Sequence, residues 1–231
     1  MAVILNDDLK RYLKQTRELF GDTLYLTQDW LSPVLNSHIL CSPEFEKTLG
    51  AFQRQIETCH HCSLGETRNK FVFGVGDTNA SLVLVGEAPG SEEDRLGEPF
   101  VGKAGHLLDK ILVAIDRDRW HDVFICNVLK CRPPNNRDPL KAEVEQCEPY
   151  LIHQIGLIMP KLIVALGRVA GKTLLGVEKP LKSMRGNIHD YHGTPLIVTY
   201  HPAALLRNPG WKPEAWKDFQ WIRDFLKRQT K

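Results

Sequence analysis

The sequence lacks any long apolar segment. No run within its 231 residues approaches the roughly 20 consecutive apolar residues that a membrane-spanning helix requires. The apolar residues 2–5 are too few for the core of a signal peptide, and the polar residues 6–8 follow them directly. We therefore expect a cytoplasmic protein with no membrane partner.

A strong net charge is missing as well. Thirty Lys and Arg residues offset 28 Asp and Glu residues, which leaves a formal charge of +2. Global charge therefore does not identify a nucleic-acid binder, although basic residues can still gather on one face. Internal repeats and low-complexity tracts are also absent. With 42% hydrophobic residues, the chain can bury one substantial core and carry a small appendage.

The first 55 residues look separate from the rest of the chain. Asp7 or Asp8 can cap a first helix that ends near Gly21. Ser42 and Pro43 form a typical helix opening, and the following segment keeps helical spacing up to residue 59. We predict an N-terminal helical extension over residues 1–55 and one α/β domain over residues 56–231.

Short apolar runs alternate with longer amphipathic segments in the second part of the chain. The predicted strands cover residues 82–85, 123–126, 162–166 and 196–200. The predicted helices cover residues 105–115, 141–159, 168–175 and 212–227. Such alternation is typical of a parallel sheet with helices on both faces, here a three-layer α/β/α domain with a four-stranded parallel sheet.

Polar or glycine-rich turns follow all four predicted strands. In open sheets of this kind, ligands bind beyond the carboxyl ends of the strands. The side chains that follow the strands are Glu87, Asn127, Arg168 and His201. We therefore expect the functional site at this edge of the sheet.

The cysteines favour a metal site over disulfides, because thiols stay reduced inside cells. The candidate ligands form one C-x2-C pair and two single positions: Cys59, Cys62, Cys131 and Cys147. Spacing alone allows a tetrahedral zinc or an iron–sulfur cluster. Four unrelated buried thiols, or His60 or His61 in place of one cysteine, remain as alternatives. We interpret Cys41 and Cys126 as plain residues.

Four motifs resemble the iron–sulfur type of uracil-DNA glycosylase, known as family 4. They begin at Gly86, Pro99, Asn127 and His201, and read GEAPGSEED, PFVGKAG, NVLKCRPP and HPAALLRNP. The resemblance covers roughly residues 57–228. It implies a [4Fe–4S] cluster on the four cysteines. It also implies a monomeric, monofunctional enzyme that removes uracil from single- or double-stranded DNA in base excision repair.

The resemblance assigns the catalysis to Glu87 and His201. Glycosidic cleavage develops positive charge on the sugar and negative charge on the leaving base. Glu87 would orient or activate water and offset the cationic sugar, whereas a helix-capping glutamate is the alternative from sequence alone. His201 precedes Pro202, whose ring biases the histidine to an extended backbone. It would donate a hydrogen bond to O2 of uracil.

The base-binding residues follow from the same motifs. The Asn127 amide would pair with N3 and O4 of uracil and reject cytosine. Phe100 would stack on the extruded base, and Glu93 would lie near C5 and exclude the methyl group of thymine. The turn residues Gly86, Ala88 and Gly90 complete the predicted set, because backbone amides of this turn can bind phosphate.

Three further residues are predicted to contact DNA. A glycosylase must rotate its target nucleotide out of the duplex, so a side chain should fill the gap. Leu205, four residues after His201, is the candidate wedge. Lys103 and Arg207 are the candidate phosphate ligands.

Two alternatives come from other functional classes. A non-catalytic DNA-binding Fe–S module would keep the fold without releasing uracil, and a redox carrier would not depend on Glu87. Within the superfamily, a subclass that bonds covalently to abasic DNA has an inserted basic loop after the first motif. Here Glu98 leads directly into Pro99, which argues for ordinary turnover.

Overall fold

The structure is a computed structural model that describes residues 47–229. Its helices are α1 Leu49–Ile56, α2 Leu64–Thr67, α3 Ser91–Leu96, α4 Lys103–Val113, α5 Lys141–Ile158, α6 Arg168–Leu175, α7 Leu181–Met184, α8 Pro202–Arg207 and α9 Lys212–Arg228. Two short 3-10 helices cover Pro134–Asn136 and Pro209–Trp211. None of the helices in the described residues is long and apolar enough to cross a membrane.

The sheet has six strands and is mixed. The strands are β1 Val75–Gly76, β2 Leu82–Gly86, β3 Val123–Asn127, β4 Leu162–Leu166, β5 His189–Tyr191 and β6 Thr194–Thr199. Their order is β1-β3-β2-β4-β6-β5, and the four central strands β3, β2, β4 and β6 are parallel to one another. β1 and β5 add antiparallel edges. The prediction of a four-stranded, wholly parallel sheet located the four central strands but missed the two antiparallel edge strands.

The two missed strands carry no apolar run. β1 has two residues, and only Tyr191 of β5 is buried. β5 and β6 are joined by His192 and Gly193, which both have positive φ, as a tight two-residue hairpin turn requires. Edge strands of this kind are specified by the turn and by pairing, so periodic hydrophobicity does not reveal them.

Alternate residues of the central strands face two separate hydrophobic cores. Val83 and Val85 face a core that also contains side chains of α1, α5 and α6. Leu82 and Leu84 face a second core, which α4 and α9 close. All five residues of β2, β3 and β4 are buried, as expected for parallel strands covered on both faces.

Helix α1 belongs to the same compact unit as the sheet, which includes residues from Pro43 onward. Thr48 caps α1 through a hydrogen bond from the Ala51 amide (3.3 Å). Phe52 is fully buried and packs edge-on against Phe73 and Tyr150. The predicted first helix near residues 7–21 and the opening at residues 42–43 lie outside the described residues.

Candidate active site

The chain reverses direction across the sheet next to β2. From β2 it passes to β3 on one side, and then to β4 on the other side. A crevice therefore opens at the carboxyl ends of β2 and β4, which is where open α/β sheets bind ligands. The loop after β3 is tied to the loop after β2, because the amides of Val128 and Leu129 donate to the carbonyls of Gly86 and Glu87 (both 3.0 Å).

A cavity of about 660 Å³ occupies this crevice. Seven of the predicted catalytic and substrate-binding residues line it: Glu87, Ala88, Gly90, Glu93, Phe100, Asn127 and His201. Arg207 lines it too. Gly86, Lys103 and Leu205 are not part of its wall. We call the ends of β2, β3, β4 and β6, with the polar side chains that follow them, the carboxyl edge.

Glu87 is half-buried and its pKa is raised from 4.5 to about 7. Removal from water is the largest cause, since burial disfavours the charged carboxylate. The negative charge of Asp138 raises the pKa further, and the positive charge of Arg168 opposes both effects. Arg168 and Asp138 form an ion pair with N···O of 2.8 Å. The carboxyl group can therefore exchange a proton near neutral pH.

His201 is held as a neutral imidazole. Its Nδ1 accepts a hydrogen bond from the Ala203 amide (3.1 Å), so the proton of the neutral ring lies on Nε2. Burial lowers the His201 pKa to about 4, with a further contribution from Arg207 and an opposing one from Glu93. At neutral pH the ring is therefore an uncharged donor through Nε2.

Gly167 allows His201 to approach β4. Its φ of 98° lies in a region that side chains other than glycine rarely adopt, and a Cβ there would lie 2.9 Å from His201 Cβ. The Gly167 amide also donates to the Thr199 carbonyl (2.8 Å), which joins the ends of β4 and β6. The turn after β4 therefore fixes the position of the histidine.

Asn127 and Phe100 form a second part of the cavity wall. Asn127 is 2% exposed, at the end of β3. A Cβ at Gly86 would overlap Asn127 Oδ1 and lie 2.7 Å from Phe100 Cζ. The Phe100 ring stacks on His201 with centroids 5.4 Å apart. Gly86 is thus required so that the amide and the ring can pack against β2.

Phe100 is held in an unusual backbone conformation with φ of 55°. One Glu93 carboxylate oxygen accepts hydrogen bonds from the amides of Val101 and Gly102 (both 3.0 Å). Arg119 donates to the Phe100 carbonyl (2.8 Å) and is paired with Asp109. Both contacts fix the loop that carries the ring. Glu93 therefore has a structural task in addition to its place in the cavity wall.

The predicted DNA contacts are distributed differently. Arg207 and Lys103 are exposed, and Lys103 opens α4. Leu205 is only 1% exposed, whereas its neighbour Leu206 is 43% exposed. Leu205 therefore packs in the interior, and Leu206 is the leucine that faces solvent.

Asp138 and Trp211 are among the residues that line the cavity and that sequence reasoning missed. Asp138 follows the third motif with no periodic signal, and Trp211 lies in the short 3-10 helix after α8. Arg168 was placed at the correct edge, but its pairing with Asp138 depends on a loop that folds back from β3. The sequence marks Trp211 only by its position between Pro209 and Pro213, which indicates a turn but not its place at the cavity.

Three of the five described cysteines are buried, and all five are unpaired thiols. The four-cysteine region consists of Cys59, Cys62, Cys131 and Cys147. Its members belong to, or pack against, the same hydrophobic core. Cys41 lies outside the described residues, and Cys126 is buried within β3.

Hydrogen-bond donors point at three of these sulphurs. Tyr150 Oη donates to Cys59 Sγ and Arg68 Nη1 to Cys131 Sγ (both 3.3 Å). The Lys130 amide donates to Cys147 Sγ (3.3 Å). Donors in this number favour thiolates over thiols. Burial acts against them and raises the pKa of Cys147 to about 12.

The two histidines between the first cysteines have other partners. His60 pairs with Glu66 (3.2 Å) at the surface, and His61 Nδ1 contacts Tyr150 Oη at 3.0 Å. Within residues 47–229, no three His, Cys, Asp or Glu side chains converge on a position that could hold one metal ion.

Comparison with known proteins gives one family. A family model described as the uracil DNA glycosylase superfamily matches residues 73–221. The type-4 uracil-DNA glycosylase of Archaeoglobus fulgidus is 42% identical over 184 residues, 76% of this chain and 92% of that protein. The type-4 enzyme of Pyrobaculum aerophilum is 44% identical over 171 residues (71% and 87%). That of Thermotoga maritima is 42% identical over 165 residues (71% and 85%).

Proposed function

Because the chain belongs to the uracil DNA glycosylase superfamily, and within it to the type-4 enzymes, we propose that it removes uracil from DNA. It is a monofunctional glycosylase that hydrolyses the N-glycosidic bond of deoxyuridine and leaves an abasic site for base excision repair. The observation that carries this proposal is the convergence of Glu87, Asn127 and His201 on one cavity.

The reaction breaks the bond between C1′ of the sugar and N1 of uracil. The electron pair leaves with the base, positive charge develops on the sugar, and water adds at C1′. Ionised Glu87 stabilises the cationic sugar and orients the water, from which it can accept a proton. A pKa of about 7 leaves a large ionised fraction at neutral pH.

His201 acts on the leaving group. A neutral imidazole with its proton on Nε2 can donate a hydrogen bond to O2 of uracil as negative charge grows there. Its low pKa keeps the ring neutral, so it stabilises the anion by hydrogen bonding rather than by transferring a proton. Removing one such donor typically lowers the rate about 10²- to 10³-fold.

Asn127 and Phe100 recognise the base. The buried Asn127 amide supplies one donor and one acceptor, which complement O4 and N3 of uracil. Cytosine presents the reverse pattern and would leave buried polar groups unpaired. Phe100 gives the base a rigid stacking surface, because Glu93 and Arg119 hold its loop. We retain Glu93 as the residue near C5 that excludes thymine.

The DNA-binding face surrounds the cavity mouth. Arg207 lies at the cavity, and Lys103 is an exposed cation at the start of α4, so both can contact phosphates of single- or double-stranded DNA. Since Leu205 is buried, we assign the wedge that fills the duplex gap to the exposed Leu206. We expect the enzyme to act as a monomer.

The four-cysteine region would hold a [4Fe–4S] cluster. The resemblance to the iron–sulfur type of uracil-DNA glycosylase favours iron over a single Zn²⁺, whose ligand sulphurs would each lie about 2.3 Å from the metal. In a cluster each thiolate binds a different iron, so the sulphurs stand farther apart. The donors to Cys59, Cys131 and Cys147 fit such thiolates. The cluster would supply structural stability and no step of the reaction.

Two further assignments accompany the function. The described cysteines form no disulfide, which suits a reducing compartment, and we place the enzyme in the cytoplasm. We keep the division into an N-terminal extension and a glycosylase domain, but the domain begins before residue 56, because α1 packs into its core.

Alkaline strand cleavage of a labelled oligonucleotide with one uracil tests the function. Wild-type protein should release uracil, and Glu87→Ala and His201→Ala should each be slower by about 10²-fold or more. The exposed Glu98→Ala serves as a matched control and should keep wild-type activity. If wild-type protein containing its cluster binds DNA but releases no uracil, the non-catalytic DNA-binding module is the correct interpretation.

A further inference from the structure

Trp211 stands at the rim of the cavity with much of its surface in water. It is 42% exposed and lines the cavity together with Arg207. It lies in the 3-10 helix Pro209–Trp211, directly between α8 and α9. The exposed part of the indole therefore offers a flat apolar surface directly beside the cavity.

The Trp211 ring is held by neighbours instead of being free to rotate. It stacks on Tyr200, with ring centroids 5.2 Å apart and planes inclined by 21°. The Arg185 guanidinium lies over the Tyr200 ring at 4.1 Å from its centroid. We call these three residues the aromatic shelf.

Two carboxylates on α9 fix the base of the shelf. Arg185 pairs with Glu214 (2.8 Å) and with Asp218 (2.9 Å). Tyr200 Oη also donates to Glu214 (2.8 Å). A flat surface fixed in this way loses little conformational freedom when a ligand stacks on it.

Continuity with the cavity identifies the ligand class. The cavity receives one base, so the nucleotides on either side of it must pass over the rim where Trp211 and Arg207 lie. Every nucleobase has a flat π-face that stacks on aromatic side chains, and an adjacent arginine suits the phosphate.

We propose that Trp211 stacks on the base of a nucleotide next to the extruded uracil in the same strand. This inference rests on the proposed function. It makes the aromatic shelf a second DNA subsite, and it predicts that the shelf contributes to binding whether or not the partner strand is present.

The test combines protein variants with oligonucleotides that lack particular bases. Affinity for a labelled single strand with an abasic analogue at the target position is measured by fluorescence anisotropy. A second strand also lacks the bases of both neighbouring nucleotides. Trp211→Ala should raise Kd for the first strand about 5- to 100-fold, the range for one base–aromatic stack, and leave Kd for the second strand unchanged. Trp211→Phe, which keeps a ring, should recover most of the affinity.

Trp216→Ala is the matched control, because this tryptophan is 37% exposed on α9 and does not line the cavity. It should leave both Kd values unchanged. An equal loss with both strands, or no loss with either, would overturn the aromatic shelf. The affinity measurement does not require base removal. A protein that released no uracil would therefore refute the proposed function, but the effect of Trp211→Ala on Kd would still test the aromatic shelf.

Discussion

The carboxyl edge and the four-cysteine region are joined by the short segment from Asn127 to Cys131. Burial raises the pKa of an acidic group in both regions, but the consequence for function differs. At the carboxyl edge, removal from water brings the pKa of Glu87 to about 7, where a carboxyl group can work as a base. In the four-cysteine region it raises the pKa of Cys147 to about 12, which disfavours the thiolate that a metal needs. The same physical effect would prepare one region for the proposed catalysis and would make the other depend on the proposed cluster.

Lys130 connects the two regions physically. Its side chain is fully buried and donates to the Asn127 carbonyl (2.8 Å) and to Gln154 Oε1 (2.5 Å). Its amide donates to Cys147 Sγ. A change in the four-cysteine region can therefore displace Asn127, which we propose recognises the base, even though none of the cysteines within residues 47–229 lines the cavity.

The largest expected effect is the loss of a cysteine ligand. Cys147→Ser should remove iron and acid-labile sulfide and unfold the domain at assay temperature, because structural metal sites contribute on the order of 10 kcal/mol. Metal analysis and thermal unfolding measure both results. Cys126→Ala, at a buried cysteine of β3 outside the predicted ligands, should keep the wild-type iron content. Wild-type protein that carries zinc, or Cys147→Ser protein that keeps its iron, would contradict the cluster.

Leu205 and Leu206 separate stability from activity at the carboxyl edge. Leu205→Ala should lower the free energy of unfolding by about 2–5 kcal/mol, since it leaves a cavity in a packed site. Leu206→Ala should leave stability nearly unchanged and slow uracil release from duplex DNA more than from single strands. Urea unfolding and parallel rate measurements check both. A stable Leu205→Ala protein with a duplex-specific defect would restore Leu205 as the wedge.

Glu87 should lower the free energy of unfolding at neutral and higher pH, where its carboxyl group is ionised. Its pKa is higher in the folded protein than the ordinary 4.5, so stability falls as pH rises from 4.5 to about 7, because the unfolded chain loses this proton first, and the loss is complete above 7. Glu87→Gln should therefore be more stable than wild type at pH 8, by about 1–2 kcal/mol after allowance for partial exposure. The difference in Tm should shrink towards pH 5, whereas exposed Glu98→Gln should show none. A pH-independent difference would contradict the burial of this charge.

The fold was predictable wherever buried residues give the sequence a periodic pattern of apolar side chains. The strand over 162–166 was located to the residue, and the helix predicted over 168–175 is α6. His201 and Glu87 were found because they follow strands whose carboxyl ends meet. Asp138 and Trp211 were not, since their positions depend on how irregular segments fold back. Leu205 shows a further limit: a motif position marks the helix turn, but packing decides which of two leucines is exposed.

The pH dependence of uracil release tests the central claim about the carboxyl edge most directly. Because kcat/KM reports groups of the free enzyme, it should rise with pH to an inflection near 7 and then level, with no second inflection from His201 above pH 5. Asp138→Asn removes the negative charge that raises the Glu87 pKa, so the inflection should move to lower pH, and Arg168→Gln should move it higher. A rate that falls as pH rises through 7, or an inflection that neither variant moves, would show that ionised Glu87 does not drive the reaction.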